Sequence, residues 1–131
     1  MIRALDTNII VDLLRGKDEQ LVARFLEARP ADYVVPEMVR AELLFGALSS
    51  SRPRENRRVV EKFLAPMRLL AFGGNACVHW AEIRAELQRA GTQIGPNDTV
   101  IAATARSASC TLVTRNTSEF TRVPGLAVEI W

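Results

Sequence analysis

Four carboxylates stand where the surrounding pattern is apolar: Asp6, Glu42, Asp98 and Glu119. Asp6 closes the first apolar stretch, residues 2–6. In open α/β sheets, sites form just beyond the carboxyl ends of strands. An Asp there also suits the N-cap of a helix that begins at Thr7. Glu42 has Met38, Val39, Phe45 and Gly46 as its helical neighbours three and four residues away. A lone carboxylate buried there costs several kcal/mol unless something pairs it, and Arg40 or Arg68 would be such a partner. Asp98 opens the apolar segment 96–105 and shares a stripe with Ile101, Ala102 and Ala105. The helix dipole by itself favours an acid in a first turn. Glu119 follows the apolar run 111–114 and the turn Arg115–Asn116–Thr117.

Each acid has an ordinary explanation, but the four together point to one chemistry. Two carboxylates ~4 Å apart repel by about 4 kcal/mol at an effective dielectric of 20, so a converging cluster needs a neutralising cation. Without His or thiolate partners, hard oxygen donors select Mg²⁺ or Mn²⁺. Such an ion orients a phosphate, lowers the pKa of a bound water and stabilises a leaving oxyanion, which is phosphodiester chemistry. Other chemistries find little footing. His79 is the only histidine and sits on a helical segment beside Trp80, as a packed or surface imidazole would. The chain has no GxxxxGK[ST], GxGxxG, HExxH or GxSxG string.

Alternating elements must position these acids. Residues 2–6, 32–35, 68–72, 111–114 and 127–131 read as strands. Between them run helical patterns. Thr7 or Asn8 caps a helix through Leu14, stopped at Gly16, and Asp18 caps the next. Pro36 opens a helix through about Leu48, and Pro53 opens another carrying Val59, Val60, Phe63 and Leu64. A long helix fits 75–90, ending at Gly91, and Pro96 opens a last one through Ala108. Strands alternating with helices predict an α/β fold with a parallel sheet covered on both faces.

The chain has 131 residues, 48% hydrophobic and 24% charged, which suits a single domain spanning 1–131 with its own core. The apolar content excludes disorder. No run approaches a membrane span, and the start lacks a signal-peptide core, so a cytoplasmic location is expected. Cys77 and Cys110 make no disulfide framework. The formal charge is +2, a weak argument for a polyanion partner. The one local excess is Arg52, Arg54, Arg57, Arg58, Lys62 and Arg68 against Glu55 and Glu61, which reads as a solvated helix face or a phosphate-binding patch.

The strings Leu5–Asp6–Thr7–Asn8, Arg40–Ala41–Glu42–Leu43–Leu44–Phe45–Gly46, Gly95–Pro96–Asn97–Asp98–Thr99 and Val113–Thr114–Arg115–Asn116–Thr117–Ser118–Glu119–Phe120, in this order and spacing, resemble the PIN-domain ribonucleases. Within them the chain is most similar to the VapC toxins of VapBC toxin–antitoxin modules, over nearly its whole length. The resemblance implies a PIN-like three-layer α/β/α fold with about five parallel strands. It also implies a Mg²⁺-dependent endoribonuclease, with Mn²⁺ able to substitute. Asp6, Glu42 and Asp98 match the family's three metal-site acids, with Asp6 and Asp98 holding the metal. At the fourth position many members carry Asp just after the fourth strand. Here Asn116 stands nearest, so Glu119 is taken as the fourth acid and Asn116 as a polar ligand or water-positioner. Thr7, Asn8 and Thr114 match positions that support the pocket.

The resemblance further implies a VapB-type antitoxin over the cleft, a homodimer, and an RNA substrate, with transfer RNA and the initiator tRNA anticodon loop as the expected target. Arg15, Arg115 and the stretch 52–58 are candidate phosphate contacts. Leu13, Leu14, Phe25, Leu44, Phe45 and Phe63 are candidates for an antitoxin groove or for simple core. Two rival readings stay open. A haloacid-dehalogenase-type phosphatase wants Asp-x-Asp after the first strand, where this chain has Asp6–Thr7–Asn8. A PIN-like module that binds RNA or protein without cutting is kept open by the altered fourth position.

Overall fold

Parallel strands cannot be joined by tight turns, so each must be followed by a crossover long enough to return to the same edge. The computed structural model describes residues 1–131 and shows this arrangement. Strands β1 (Arg3–Leu5), β2 (Tyr33–Pro36), β3 (Arg68–Leu70), β4 (Thr111–Thr114) and β5 (Val128–Ile130) form one sheet. Its order is β3-β2-β1-β4-β5 and every pairing is parallel. The crossovers carry α1 (Thr7–Arg15), α2 (Glu19–Phe25), α3 (Glu37–Leu48), α4 (Pro53–Leu64), α5 (Asn75–Ala90), α6 (Pro96–Ser107) and α7 (Thr117–Phe120).

From β1 the chain steps outward to β2 and β3, then returns across the sheet to β4. Right-handed crossovers therefore put α1 to α4 on one face and α5 with α6 on the other. The packing agrees: α3 lies against α1 and α4, and α5 lies against α6. The direction reverses between β1 and β4. In a doubly wound sheet this reversal opens a crevice at the strands' carboxyl ends.

The core sits where the central strands meet both helical layers. Leu5, Val35, Leu112 and Val113 are completely buried, as are Ile9, Ile83 and Ile101 from the helices. Each such side chain contributes roughly 1.5–3 kcal/mol. Phe25 stacks on Tyr33 at 4.8 Å and on Phe63 at 5.7 Å, so both phenylalanines belong to this core rather than to an open groove. Cys110 is buried, Cys77 is exposed, and both are free thiols. No helix is long and apolar enough to cross a membrane.

The five strands and six longer helices lie where the sequence pattern places them, with shifted ends. Asp6, rather than Thr7 or Asn8, caps α1: its Oδ1 accepts the Thr7 amide at 2.8 Å. The expected stop at Gly16 is real, because the cap residue takes the left-handed φ of 66° that glycine adopts without strain. Pro36 ends β2 and stands at the N-cap of α3 instead of in its first turn. The strands at 68–72 and 127–131 are shorter than expected. The four-residue α7 and the 3₁₀ turn Pro30–Asp32 are too short to leave a periodic signal.

Glu129 on β5 joins three elements. It accepts Arg3 Nε from β1 at 2.8 Å, Arg24 Nη2 from α2 at 2.9 Å and Trp131 Nε1 at 3.1 Å. The Arg3 bond, helped by the other two donors, holds the Glu129 carboxyl at about 2. A depressed carboxylate stabilises the folded chain above its unfolded pKa, ~4.3, and loses that contribution as pH falls toward the folded value. Glu129→Gln should cost about 1–2 kcal/mol at neutral pH, discounted for the half-exposed Arg24. Urea unfolding of both chains should show the difference shrinking between about pH 4.5 and pH 2. A pH-independent difference would mean that packing, not charge, carries the effect.

Candidate active site

The crevice between β1 and β4 collects acids from four separate elements. Asp6 leaves β1 and is buried, with 4% of its surface exposed. Glu42 comes from the second turn of α3, Asp98 from the first turn of α6 and Glu119 from α7, each half-buried. Residues 21 to 113 apart along the chain thus face one another, because the sheet order brings their elements together.

Two hydroxyls and one amide knit the acids into a network. Thr7 Oγ1 donates to Glu42 Oε1 at 2.7 Å, while its backbone amide donates to Asp6. Thr114 is fully buried at the end of β4, and its Oγ1 donates to Asp6 Oδ2 at 2.7 Å. The same oxygen accepts the Asn116 backbone amide at 2.9 Å. The Asn116 side chain caps α7 through Oδ1, and its Nδ2 reaches Asp98 at 3.5 Å and Glu119 at 3.3 Å. Thr7, Thr114 and Asn116 therefore support the acids as the sequence suggested. Asn8 is exposed and takes no part in these bonds. Asn97 joins without having been singled out, donating to Glu42 Oε2 at 3.4 Å. Its place beside Asp98 was the only available signal.

The electrostatics are those of a crowded anion site. Burial pushes Asp6 above the usual carboxylate range, against the opposing bonds from Thr114 and Thr7. Burial also raises Asp98, to about 8, with the facing Glu119 and the more distant Asp6 and Glu42 adding to the rise. Glu119 is lowered, chiefly by its hydrogen bond with Asp98. The opposite shifts show two facing carboxyls that resist ionising together, with burial pushing Asp98, the more buried partner, upward. The arginine partner considered for Glu42 is not what the chain supplies. The nine ion pairs all lie elsewhere, and Arg40 binds Glu61 at 2.7 Å rather than Glu42.

The donor set fits a hard divalent ion. It consists of carboxylate, amide and hydroxyl oxygens, with no imidazole or thiolate nearby. His79 stands apart, its Nδ1 accepting Arg106 Nε at 2.7 Å. The acids face one another without three of them closing into a ready coordination shell. The facing Asp98 and Glu119 mark where a cation would relieve the repulsion.

Beside Glu42 lies an apolar groove of about 470 Å³ between α1, α3 and α4, lined by Leu14, Leu43, Ala47, Val59 and Val60, with Arg15 and Asn56 at its edge. Of the residues proposed for a groove, Leu14 is placed there. Phe45, 72% exposed, lies on the neighbouring shallow face with Met38 and Asn97. Arg15 is exposed, while Arg115 is held by Asp12 and Asp18.

The Thr114 hydroxyl serves two partners at once. Thr114→Val preserves the shape but removes a donor to Asp6 and the acceptor for the Asn116 amide, and should cost about 1–3 kcal/mol in urea unfolding. Thr114→Ser should keep most of the stability. Equal losses in both variants would show that the methyl group, not the hydroxyl, matters.

The PIN-domain family profile matches residues 3–126. A curated relative, the tRNA(fMet)-specific endonuclease VapC of Salmonella typhimurium, is 37% identical over 97% of this chain and 96% of its own length. The solved structure of DNA-bound VapBC from Salmonella typhimurium superposes with a TM-score of 0.92 at 36% identity, covering 100% of this chain and 98% of that one. VapBC2 from Rickettsia felis, bound to a DNA fragment from its promoter, gives 0.91 at 32% identity, covering 100% and 99%. The match spans the sheet and all four acid-bearing elements, and the chain belongs to the PIN-domain family and, within it, to the VapC toxins.

Proposed function

We propose that this chain is the toxin of a VapBC-type module, a Mg²⁺-dependent endoribonuclease in which Mn²⁺ can substitute. The observation that carries the reading is the cluster of Asp6, Glu42, Asp98 and Glu119 in one crevice, none of them in an ion pair. Asp6 and Asp98 would hold the metal. When bound, it supplies Lewis acidity toward the phosphate and lowers the pKa of a coordinated water.

The chain's own groups set the geometry. Thr7 and Asn97 hold both Glu42 oxygens, leaving that carboxylate oriented toward the crevice. Thr114 fixes the rotamer of Asp6. Asn116 spans Asp98 and Glu119 and is placed to orient a water between them. Hydrolysis transfers the water oxygen to phosphorus and leaves a proton on the departing 3′ oxygen, giving a 5′-phosphate and a 3′-hydroxyl. Glu42 and Glu119 are the carboxylates available to align the attacking water.

A transfer RNA, cut in the anticodon loop of the initiator species, is the substrate we favour. Support comes from the printed specificity of the Salmonella and Shigella relatives. Unpaired loop bases are also the accessible part of a folded RNA. The exposed Arg54, Arg57 and Arg58 on α4, and Arg15, whose ion pair with Asp12 is a loose 3.9 Å, are the cations available for backbone contacts. A VapB-type antitoxin is the proposed partner, supported by the VapBC complexes among the structural relatives, and the toxin is taken to act as a homodimer in the cytoplasm.

Cleavage of a transfer RNA pool should require Mg²⁺ or Mn²⁺, stop with EDTA and resume when the ion is restored. Asp6→Asn keeps the α1 cap and the side-chain volume, so the fold should persist while the rate falls roughly 100-fold or more. Wild-type cleavage by that variant, or full activity in EDTA, would overturn the reading. Tight RNA binding with no cleavage would select the non-catalytic alternative.

A further inference from the structure

The turn after β4 carries Asn116 and Glu119 into the site, yet the bonds its side chains make there run to other acids or within the turn itself. Within that set the Asn116 amide group is what offsets the repulsion between Glu119 and Asp98, with the Gly95 backbone and Arg122 also favouring the Glu119 carboxylate. One residue of the turn reaches outward. Arg115 Nη1 donates to Asp12 Oδ2 on α1 at 3.2 Å, and Nη2 donates to Asp18 Oδ2 at 2.5 Å. Asp18 is itself fixed, since its Oδ1 accepts the Leu21 amide as the N-cap of α2. The guanidinium thus spans the α1–α2 corner, and α1 begins at Asp6 and Thr7.

We propose that Arg115 is a positioning residue: its bridge to Asp12 and Asp18 anchors the turn that presents Asn116 and Glu119 to Asp98. The inference deepens the ribonuclease reading of the site and rests on it. It reassigns an arginine that the sequence offered as an RNA contact. A guanidinium between two carboxylates has its charge already matched, so it gains little from a phosphate unless the bridge is first broken. Partly exposed pairs of this kind add little to global stability. The effect of the bridge is local, on a turn one residue from Asn116.

The two roles for Arg115 give opposite expectations for Asp12→Asn/Asp18→Asn. That variant keeps a good N-cap on α2 and frees the guanidinium. If Arg115 positions the turn, the variant should lower kcat roughly tenfold with KM unchanged, as Arg115→Ala should. If Arg115 contacts RNA, the freed cation should tighten RNA binding. Arg115→Ala should then raise KM and flatten the dependence of log K on log salt by about 0.7–0.9. Urea unfolding of either variant should stay close to wild type, which separates a local from a global defect. Arg115→Lys, which offers a point charge in place of a fork, should recover only part of the rate.

Mn²⁺ affinity, measured by calorimetry without RNA, supplies a readout independent of cleavage. The anchor predicts weaker Mn²⁺ binding in Arg115→Ala, because Asn116 and Glu119 are then less constrained. If the wild-type chain cleaves no RNA, the ribonuclease reading fails and the anchor stands or falls on this affinity. Unchanged Mn²⁺ affinity and unchanged kcat in Arg115→Ala would overturn the proposal.

Discussion

Carboxylates that repel one another are held together here by a scaffold stiff enough to refuse them separation. Asp6 is nearly inaccessible to solvent and faces three further acids, an arrangement that burial and charge both oppose. It persists because Asp6 is also a helix cap and a hydrogen-bond acceptor for a fully buried threonine. The same carboxylate therefore serves the fold and, in the proposed reaction, the chemistry. Such double duty is one way a protein holds a strained site without unfolding around it.

The sheet order makes this collision of charges possible. Were the strands arranged in sequence order, Asp6 and Asn116 would lie three strands apart. The return of the chain to β4 beside β1 brings the ends of the first and fourth strands together. It also aims the first turn of α6 at the same spot from the opposite face. The helices contribute more than side chains. Asp6 satisfies an amide at the start of α1, Asp98 lies in the first turn of α6, and Asn116 caps α7. Three positively polarised helix starts thus surround the acids and offset part of their repulsion.

Legibility in the sequence varied with the physical origin of each feature. Asp6, Glu42 and Asp98 were visible because each breaks an apolar pattern, and the family strings carry the same three positions. The fourth position was harder, since Asn116 and Glu119 each fit part of the expectation. The structure holds both in one bonded set. Asn97 was not singled out, because an exposed amide at a helix start looks the same whether or not it faces an acid. The partners of Arg115 lie 103 and 97 residues away, and ion pairs at that separation leave no periodic trace. Phe25 and Phe63 illustrate the converse: aromatic residues on helical stripes suit a groove or a core equally, and only their stacking on each other and on Tyr33 decides for the core.

The sequence alone determined the alternation of strands and helices, hence the parallel sheet, because hydrophobic period and capping residues are local properties of the chain. It also set which donors stand where apolar order is broken, namely acids and neutral oxygen groups, and so the kind of chemistry proposed. The tertiary structure decided which acids meet, what holds each of them, and which arginines are free. Those outcomes depend on strand order and on contacts between residues far apart in the chain, and no local spacing encodes the through-space distances that Coulomb repulsion and hydrogen bonding require.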